Sequence, residues 1–322
     1  MSELQLQEIV LRIDKLARRD AAGRGLAVLA DTADLFPAAA ELFTGERAIL
    51  VTGFCVRAAM IGENDGPPGT LALADALQQL GKEVVLLTDV HSAGLLDAGA
   101  LTYGRAYRIL VLSQVPETAQ RQIEDLVAAF APTQVVAIER PGSAPDGHRY
   151  SMRGEILDDI IPATDCLLQP AGGRIYKTIA IGDGGNELGF GGLREALKLQ
   201  VNLGELIFCS TAADYVIPAG ISNWGASALV STLSLLAGRL LLRPPAHEYA
   251  VLQALLAAGA VDGCTGKTAL SVDGLAWESY VTTLAAIYEE TRAALNSTAP
   301  DPKDLTAKAQ RTQSSAKKIE NG

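Results

Sequence analysis

The sequence predicts an α/β fold, a three-layer αβα sandwich around a mostly parallel sheet. Three observations carry that expectation. Short apolar runs alternate with longer stretches of helical periodicity along most of the 322 residues. The chain is 48% apolar but only 5% aromatic, and Ala, Leu, Val and Gly dominate, as expected for helices laid on a buried parallel sheet. Acidic residues also recur just beyond the apolar runs, where open parallel sheets gather ligands.

Taken in order, apolar residues from Leu4 to Ala17 recur at mostly helical spacing and predict an amphipathic first helix. "GLAVLA" (25–30) and "RAILVTGF" (47–54) read as short buried strands. "PPGTLALADALQQLG" (67–81) reads as a helix, with proline near its start and glycine just past its end. Strands follow at "KEVVLLTDV" (82–90), "YRILVLS" (107–113) and "TQVVAIERPG" (133–142), with a helix near 117–130. "KTIAIGDGG" (177–185) is a further strand, with a helix expected from about 191 to 200. "AADYVIPAG" (212–220), the helix "NWGASALVSTLSLLAG" (223–238) and a last pair of elements complete the body, expected to span residues 1–300. Residues 301–322 are polar and free of aromatics, and are read as a disordered or partly helical tail.

Charge excludes one class of partner. Lys and Arg total 27 against 37 Asp and Glu, a net −10; residues 301–322 hold five basic and three acidic residues, which leaves −12 on the body. Such a body repels a nucleic-acid backbone and suits cations, amines or metal-bound substrates. No basic-then-apolar leader and no membrane-length apolar run occur, so a cytoplasmic protein without a membrane partner is expected. The cysteines, Cys55, Cys166, Cys209 and Cys264, are far apart and form no CxxC, which predicts free thiols.

Six of the eleven residues from Gly182 to Gly192 are glycine. The run fails GxGxxG from Gly182, because the sixth position is Glu187, and from Gly189, because it is Arg194. "TGKT" (265–268) has Val261 where a Walker loop needs glycine. What remains is a strand, then Gly182-Asp183-Gly184-Gly185-Asn186-Glu187. The run reads either as an Asp-Gly turn or as backbone, Gly184 and Gly185 included, that lies against a small metal-bound substrate. Asp89, Glu139 and Asp183 each follow a strand, and Glu63, Asn64 and Asp65 lie in the loop after another, so a parallel sheet would bring these acids to one edge. Clustered carboxylates share protons or hold a cation, and oxygen-only clusters suit Mg²⁺ or Mn²⁺ rather than Zn²⁺. Arg140, Arg153 and Lys177 are cations able to grip a carboxylate, although surface solvation is the default for each. Ser222 and Asn223 are helix caps or substrate contacts. The histidines (His91, His148, His247) read as loop residues, and GxSxG is absent.

Together "ENDGPPG", "VAIERPGSAPDGHRY", "IGDGGNELGFG", "AGISNWG" and "VDGL" resemble, in this order, the catalytic C-terminal domain of the D-glutamate cyclase family, from about Val51 to Leu275. The resemblance implies a hydro-lyase that converts D-glutamate, a small amino-acid substrate, to 5-oxo-D-proline. It also implies a divalent-metal site, homo-oligomers, and a stand-alone relative without the extra N-terminal domain of the mitochondrial enzyme. It places functional roles on Asp65, Glu139, Asp183, Asn186 and Glu187. With the strand-end placement added, Asp65, Asp89, Glu139, Asp183 and Glu187 are the expected metal ligands. Glu187, Glu139 and Asp183 are the catalytic candidates, and Asn186, Arg140, Arg153, Ser222, Asn223, Gly184 and Gly185 surround the substrate. A metal-dependent phosphohydrolase and a non-catalytic amino-acid or metal sensor are the alternative readings.

Overall fold

The computed structural model describes residues 2–21 and 23–298, so the expected tail at 301–322 lies outside the described residues. Helix α1 (Glu3–Ala17) starts at a capping box, in which Ser2 and Gln5 satisfy each other's backbone N–H. Helices α2 (Leu26–Leu29) and α3 (Leu35–Thr44) precede strand β1 (Arg47–Thr52), the hairpin β2 (Cys55–Val56) and β3 (Ile61–Gly62), and α4 (Pro67–Gln79). Then come β4 (Glu83–Asp89), α5 (Ala93–Thr102), β5 (Arg108–Leu112), α6 (Pro116–Phe130), β6 (Gln134–Ile138) and β7 (Lys177–Gly182). The short helices α7 (Arg194–Leu197) and α8 (Gly204–Ile207) lead to β8 (Tyr215–Pro218), α9 (Ser222–Ala237) and α10 (Pro245–Ala257). A hairpin of β9 (Ser271–Val272) and β10 (Leu275–Ala276) joins them to α11 (Trp277–Thr298).

Six strands form one sheet in the order β5-β4-β1-β6-β7-β8, and every neighbouring pair is parallel. Side-chain alternation divides its core in two. Leu50, Leu86, Val136, Ile138, Ile179 and Ile181 face a layer built from α1, α3, α4, α5, α9, α10 and α11. Ile49, Val51, Val85, Leu87, Val135 and Ala137 face α6 and the segment between β6 and β7. The result is the expected three-layer α/β sandwich, with one helical layer much thicker than the other. Helix α9 is buried from Ser222 to Leu235, and small residues let its neighbours approach closely. A Cβ on Gly69 of α4 would lie 2.7 Å from Ala226.

Two elements differ from expectation. "GLAVLA" is not a strand but the single turn α2, entered through Gly25 at φ +78°. The edge it would have joined is closed otherwise, because the Val216 N–H of β8 donates to the Asp34 carboxylate (2.8 Å). The helix expected over 191–200 is only α7, preceded by a 3₁₀ turn at Gly191–Leu193. Among the described residues no helix is long and apolar enough to cross a membrane.

The order of strands positions the site. After β1 the chain moves outward through β4 to β5, then returns through α6 to β6, on the other side of β1. The connections therefore diverge between β1 and β6, which opens a crevice beyond their carboxyl ends.

Candidate functional site

The crevice is floored by three buried carboxylates. Asp65, Glu139 and Asp183 each offer an oxygen, and these oxygens all lie within 4.8 Å of one another. Asp65 arrives on the turn between β3 and α4. Its Oδ2 accepts the Ser222 N–H (3.0 Å), and its Oδ1 accepts those of Asn223 (2.9 Å) and Gly66 (2.9 Å). Glu139 stands at the end of β6 at φ +45°, a region that costs a non-glycine residue energy and is kept where the surroundings over-determine it. Its Oε2 accepts the Ser222 hydroxyl at 2.5 Å. Gly66 is required beside it, since a Cβ there would sit 2.7 Å from the Cβ of Glu139. Asp183 follows β7; its Oδ1 accepts from Arg24, and its Oδ2 is buried without a hydrogen-bond partner among the described residues.

Electrostatics make the cluster costly without a positive guest. Burial, followed by the charge of Asp273, pushes Asp65 up to about 8 despite its backbone donors. Burial, then Glu187 and Asp65, raises Glu139 well above the carboxylate range, and burial, then Asp273 and Asp65, does the same to Glu63. Such groups either retain protons or hold a cation. The donor set is all oxygen, one of its oxygens is orphaned, and the site is buried. That chemistry fits Mg²⁺ or Mn²⁺, with Asp65, Glu139 and Asp183 as the residues that would hold it.

A cleft of about 440 Å³ opens onto Glu139 and is lined also by Glu63, Arg24, Phe54, Met152 and Arg153 among others. Arg153, on its lip, donates to the Cys264 carbonyl (2.6 Å) and so ties the loops on the two sides of the cleft together. All four cysteines are free.

Several residues expected at the site lie elsewhere or are occupied. Asp89 does not join the carboxylates: it forms an ion pair with Arg140, and both side chains are fully buried. Arg140 also donates to the carbonyls of Gly53 (3.1 Å) and Pro162 (2.8 Å), so it ties loops together and presents no free face to a substrate. Glu187 turns back on its own loop, where its carboxylate accepts the N–H groups of Asp183 (2.9 Å), Gly184 (2.7 Å) and Gly185 (2.6 Å). The glycine run thus cradles a protein carboxylate, and the N–H groups of Gly184 and Gly185 are not free for a substrate. A Cβ on Gly185, at φ +92°, would also strike the Phe208 ring at 2.6 Å. Asn186 braces the neighbouring loop, donating to the Tyr150 carbonyl (2.8 Å) and accepting the Gly142 N–H (2.9 Å). Ser222 and Asn223 are fully buried supports for Glu139 and Asp65. Lys177 opens β7 at the far end of the sheet from the cleft.

Glu63, expected only as one of the converging acids, and two residues without an expected role, Asp273 and Arg24, belong to the site. Glu63 lines the cleft, and among the described residues its carboxylate makes no hydrogen bond. Asp273 sits at φ +51° in the β9–β10 turn, with its Oδ2 buried and without a partner among the described residues. Arg24 reaches from the segment between α1 and α2 to bridge Asp183 and Asp273, the latter at 2.9 Å. The Asp-Gly pair of "VDGL" is a turn signal that could have singled out Asp273. Nothing in the sequence around Arg24 points to the cleft.

The profile of the "D-glutamate cyclase-like, C-terminal" family matches residues 13–288, which takes in every residue of this site. The chain belongs to that family. It is 29% identical over 253 residues to "D-glutamate cyclase, mitochondrial" of Homo sapiens, an alignment that covers 73% of this chain and 40% of that protein. The chain thus spans well under half the length of the curated relative it matches. Within the family frame, the quoted motifs fall on the loops that form the floor: "ENDGPPG" carries Asp65, "VAIERPG" carries Glu139 and "IGDGG" carries Asp183.

Proposed function

We propose that this chain is a D-glutamate cyclase-like hydro-lyase that closes D-glutamate, or an amino acid of the same kind, to 5-oxo-D-proline with loss of water. The observation that carries the reading is the buried triad of Asp65, Glu139 and Asp183 at the divergence of β1 and β6. In the reaction the α-amine attacks the γ-carboxylate carbon, a C–N bond forms and a C–O bond breaks. The two protons shed by the original ammonium leave on the departing oxygen as water. A divalent ion bound by the triad would polarise the γ-carboxylate and neutralise part of its charge.

The protein's own groups supply the rest. Glu139 faces the cleft with one oxygen pinned by Ser222, which leaves its other oxygen for the cation or for a proton of the ammonium. Glu63 lies beside it as a second proton carrier. We assign the α-carboxylate to Arg153 on the lip, and an acidic floor with a cationic rim would then orient an amino dicarboxylate end to end. The phosphohydrolase reading has less support. The family matched is that of D-glutamate cyclase, and no Walker-type phosphate loop is present in the sequence.

The test is to incubate the protein with D- or L-glutamate and Mn²⁺ or Mg²⁺, and to follow loss of one water by mass spectrometry beside a panel of phosphomonoesters. Metal-dependent conversion of D-glutamate that Asp183→Asn abolishes is the expected outcome. Phosphate release without cyclisation would replace this reading with the hydrolase. Binding without turnover would replace it with the sensor.

A further inference from the structure

Arg24 stands on a segment that is anchored at both ends. At one end Ala17 accepts the Gly220 N–H (2.8 Å), and the Arg18 guanidinium binds the carbonyls of Ala27 (3.2 Å) and Ala30 (2.9 Å). Between these anchors the Asp20 carboxylate accepts the N–H groups of Arg24 (2.8 Å) and Gly25 (3.2 Å). Gly23 and Gly25 flank Arg24 at φ +73° and +78°. A Cβ on Gly23 would meet nothing within 4 Å, and one on Gly25 only the tip of Leu29 at 3.9 Å. These glycines serve the path of the chain rather than close packing.

The guanidinium lies over the acidic floor. One nitrogen binds Asp183 Oδ1; the other binds Asp273 Oδ1 and lies 3.6 Å from the Cys264 sulfur. The second oxygen of each aspartate is buried and has no partner among the described residues. Asp183 is thus held on one oxygen by Arg24 and shares with Asp65 and Glu139 a space that suits a second positive charge. A divalent ion there would face the guanidinium across a single carboxylate, and in a buried site that repulsion is large. Arg24 has a way out, because 18% of its side chain is already exposed.

We infer that Arg24 is a built-in cation which a divalent ion must displace from Asp183, so that its guanidinium acts as an internal competitor and sets the affinity of the cleft for metal. The inference rests on the cation-binding reading of the triad and adds to it an autoinhibitory contact. It predicts that removing the guanidinium strengthens metal binding, the reverse of what loss of a merely structural ion pair would do.

Calorimetric titration of the metal-free full chain with Mn²⁺ alone, for wild type, Arg24→Gln and Arg24→Lys, reads this directly. Arg24→Gln should bind at least about tenfold more tightly, and Arg24→Lys, which keeps the charge, should stay near wild type. Hydrogen exchange over residues 19–26 of the wild-type chain should quicken when Mn²⁺ is added. Equal or weaker binding by Arg24→Gln, or exchange that does not quicken, overturns this inference alone. No uptake by wild type or Arg24→Gln overturns it together with the metal reading.

Discussion

Asp65 and Asn223 cap each other's helices. The Asp65 carboxylate accepts the N–H groups of Ser222 and Asn223 at the start of α9, and the Asn223 side-chain oxygen accepts those of Gly66 (3.0 Å) and Gly69 (2.9 Å) at the start of α4. The Asn223 amide closes the exchange on the Asn64 carbonyl (3.2 Å). Each residue satisfies N–H groups that a helix start leaves without intrahelical partners, so the floor of the cleft and the packing of α4 on α9 are one construction.

Asn223→Ala should therefore destabilise the fold by about 2–3 kcal/mol, since a lost cap costs roughly 1–2 and a second buried N–H is orphaned with it. Urea unfolding of Asn223→Ala, Asp65→Asn and the double variant should show coupling of about 1 kcal/mol. Strict additivity would mean that the two caps act independently.

Glu139 and Glu187 should separate chemistry from architecture. Glu187→Gln turns an amide group toward three backbone N–H donors, and should cost about 2–3 kcal/mol of stability. Glu139→Gln should lower turnover by about 10²–10⁴-fold, the range for removal of a general acid–base, with a smaller change in unfolding midpoint. Paired measurement of kcat and thermal unfolding decides it; a reversed pattern would move the proton-carrying role to Glu187.

The metal-free protein should lose stability as pH rises from about 4 to about 8. Asp65 ionises near its ordinary 3.8 in the unfolded chain but near 8 when buried, so across that interval the folded state binds more protons. The contribution is complete below the unfolded value and gone above the folded one. Glu63 and Glu139 are displaced in the same direction, first by burial. In chelator, Asp65→Asn should flatten the pH profile by up to about 1.4 kcal/mol per pH unit relative to wild type. Parallel profiles for the two proteins would show that Asp65 is not protonated in the fold.

Gly185→Ala should destabilise by about 2–4 kcal/mol, because it combines an unfavourable φ with overpacking against Phe208. Adding Phe208→Leu relieves the second part alone. Melting curves should therefore recover only partly in the double variant, and full recovery would remove the backbone argument.

What could be read from the sequence was local and periodic. Apolar runs placed all six sheet strands, and the acids just past two of them, Glu139 and Asp183, do meet Asp65 from the loop after a third. Pairing across distance could not be read. Asp89 follows its strand just as Glu139 does, yet Arg140, 51 positions later, claims it. The same blindness hid Arg24, which stands just before the apolar run that resembles a strand and is a single helical turn. Six glycines suggested room for a guest, whereas their turn encloses Glu187; composition tells that space is needed but not what fills it.

The pair formed by Arg24 and Asp273 joins residues 249 positions apart, and the three floor acids lie between them in the chain. Contacts of such separation are slow to form, because a long loop must close before they return any energy. The cleft is therefore a late product of folding. An incomplete chain can form βα units but not the arrangement that concentrates negative charge, so the electrostatic penalty of the floor is met only when the surrounding layers are in place to bear it. Any cation that binds there stabilises the finished fold and none of its predecessors.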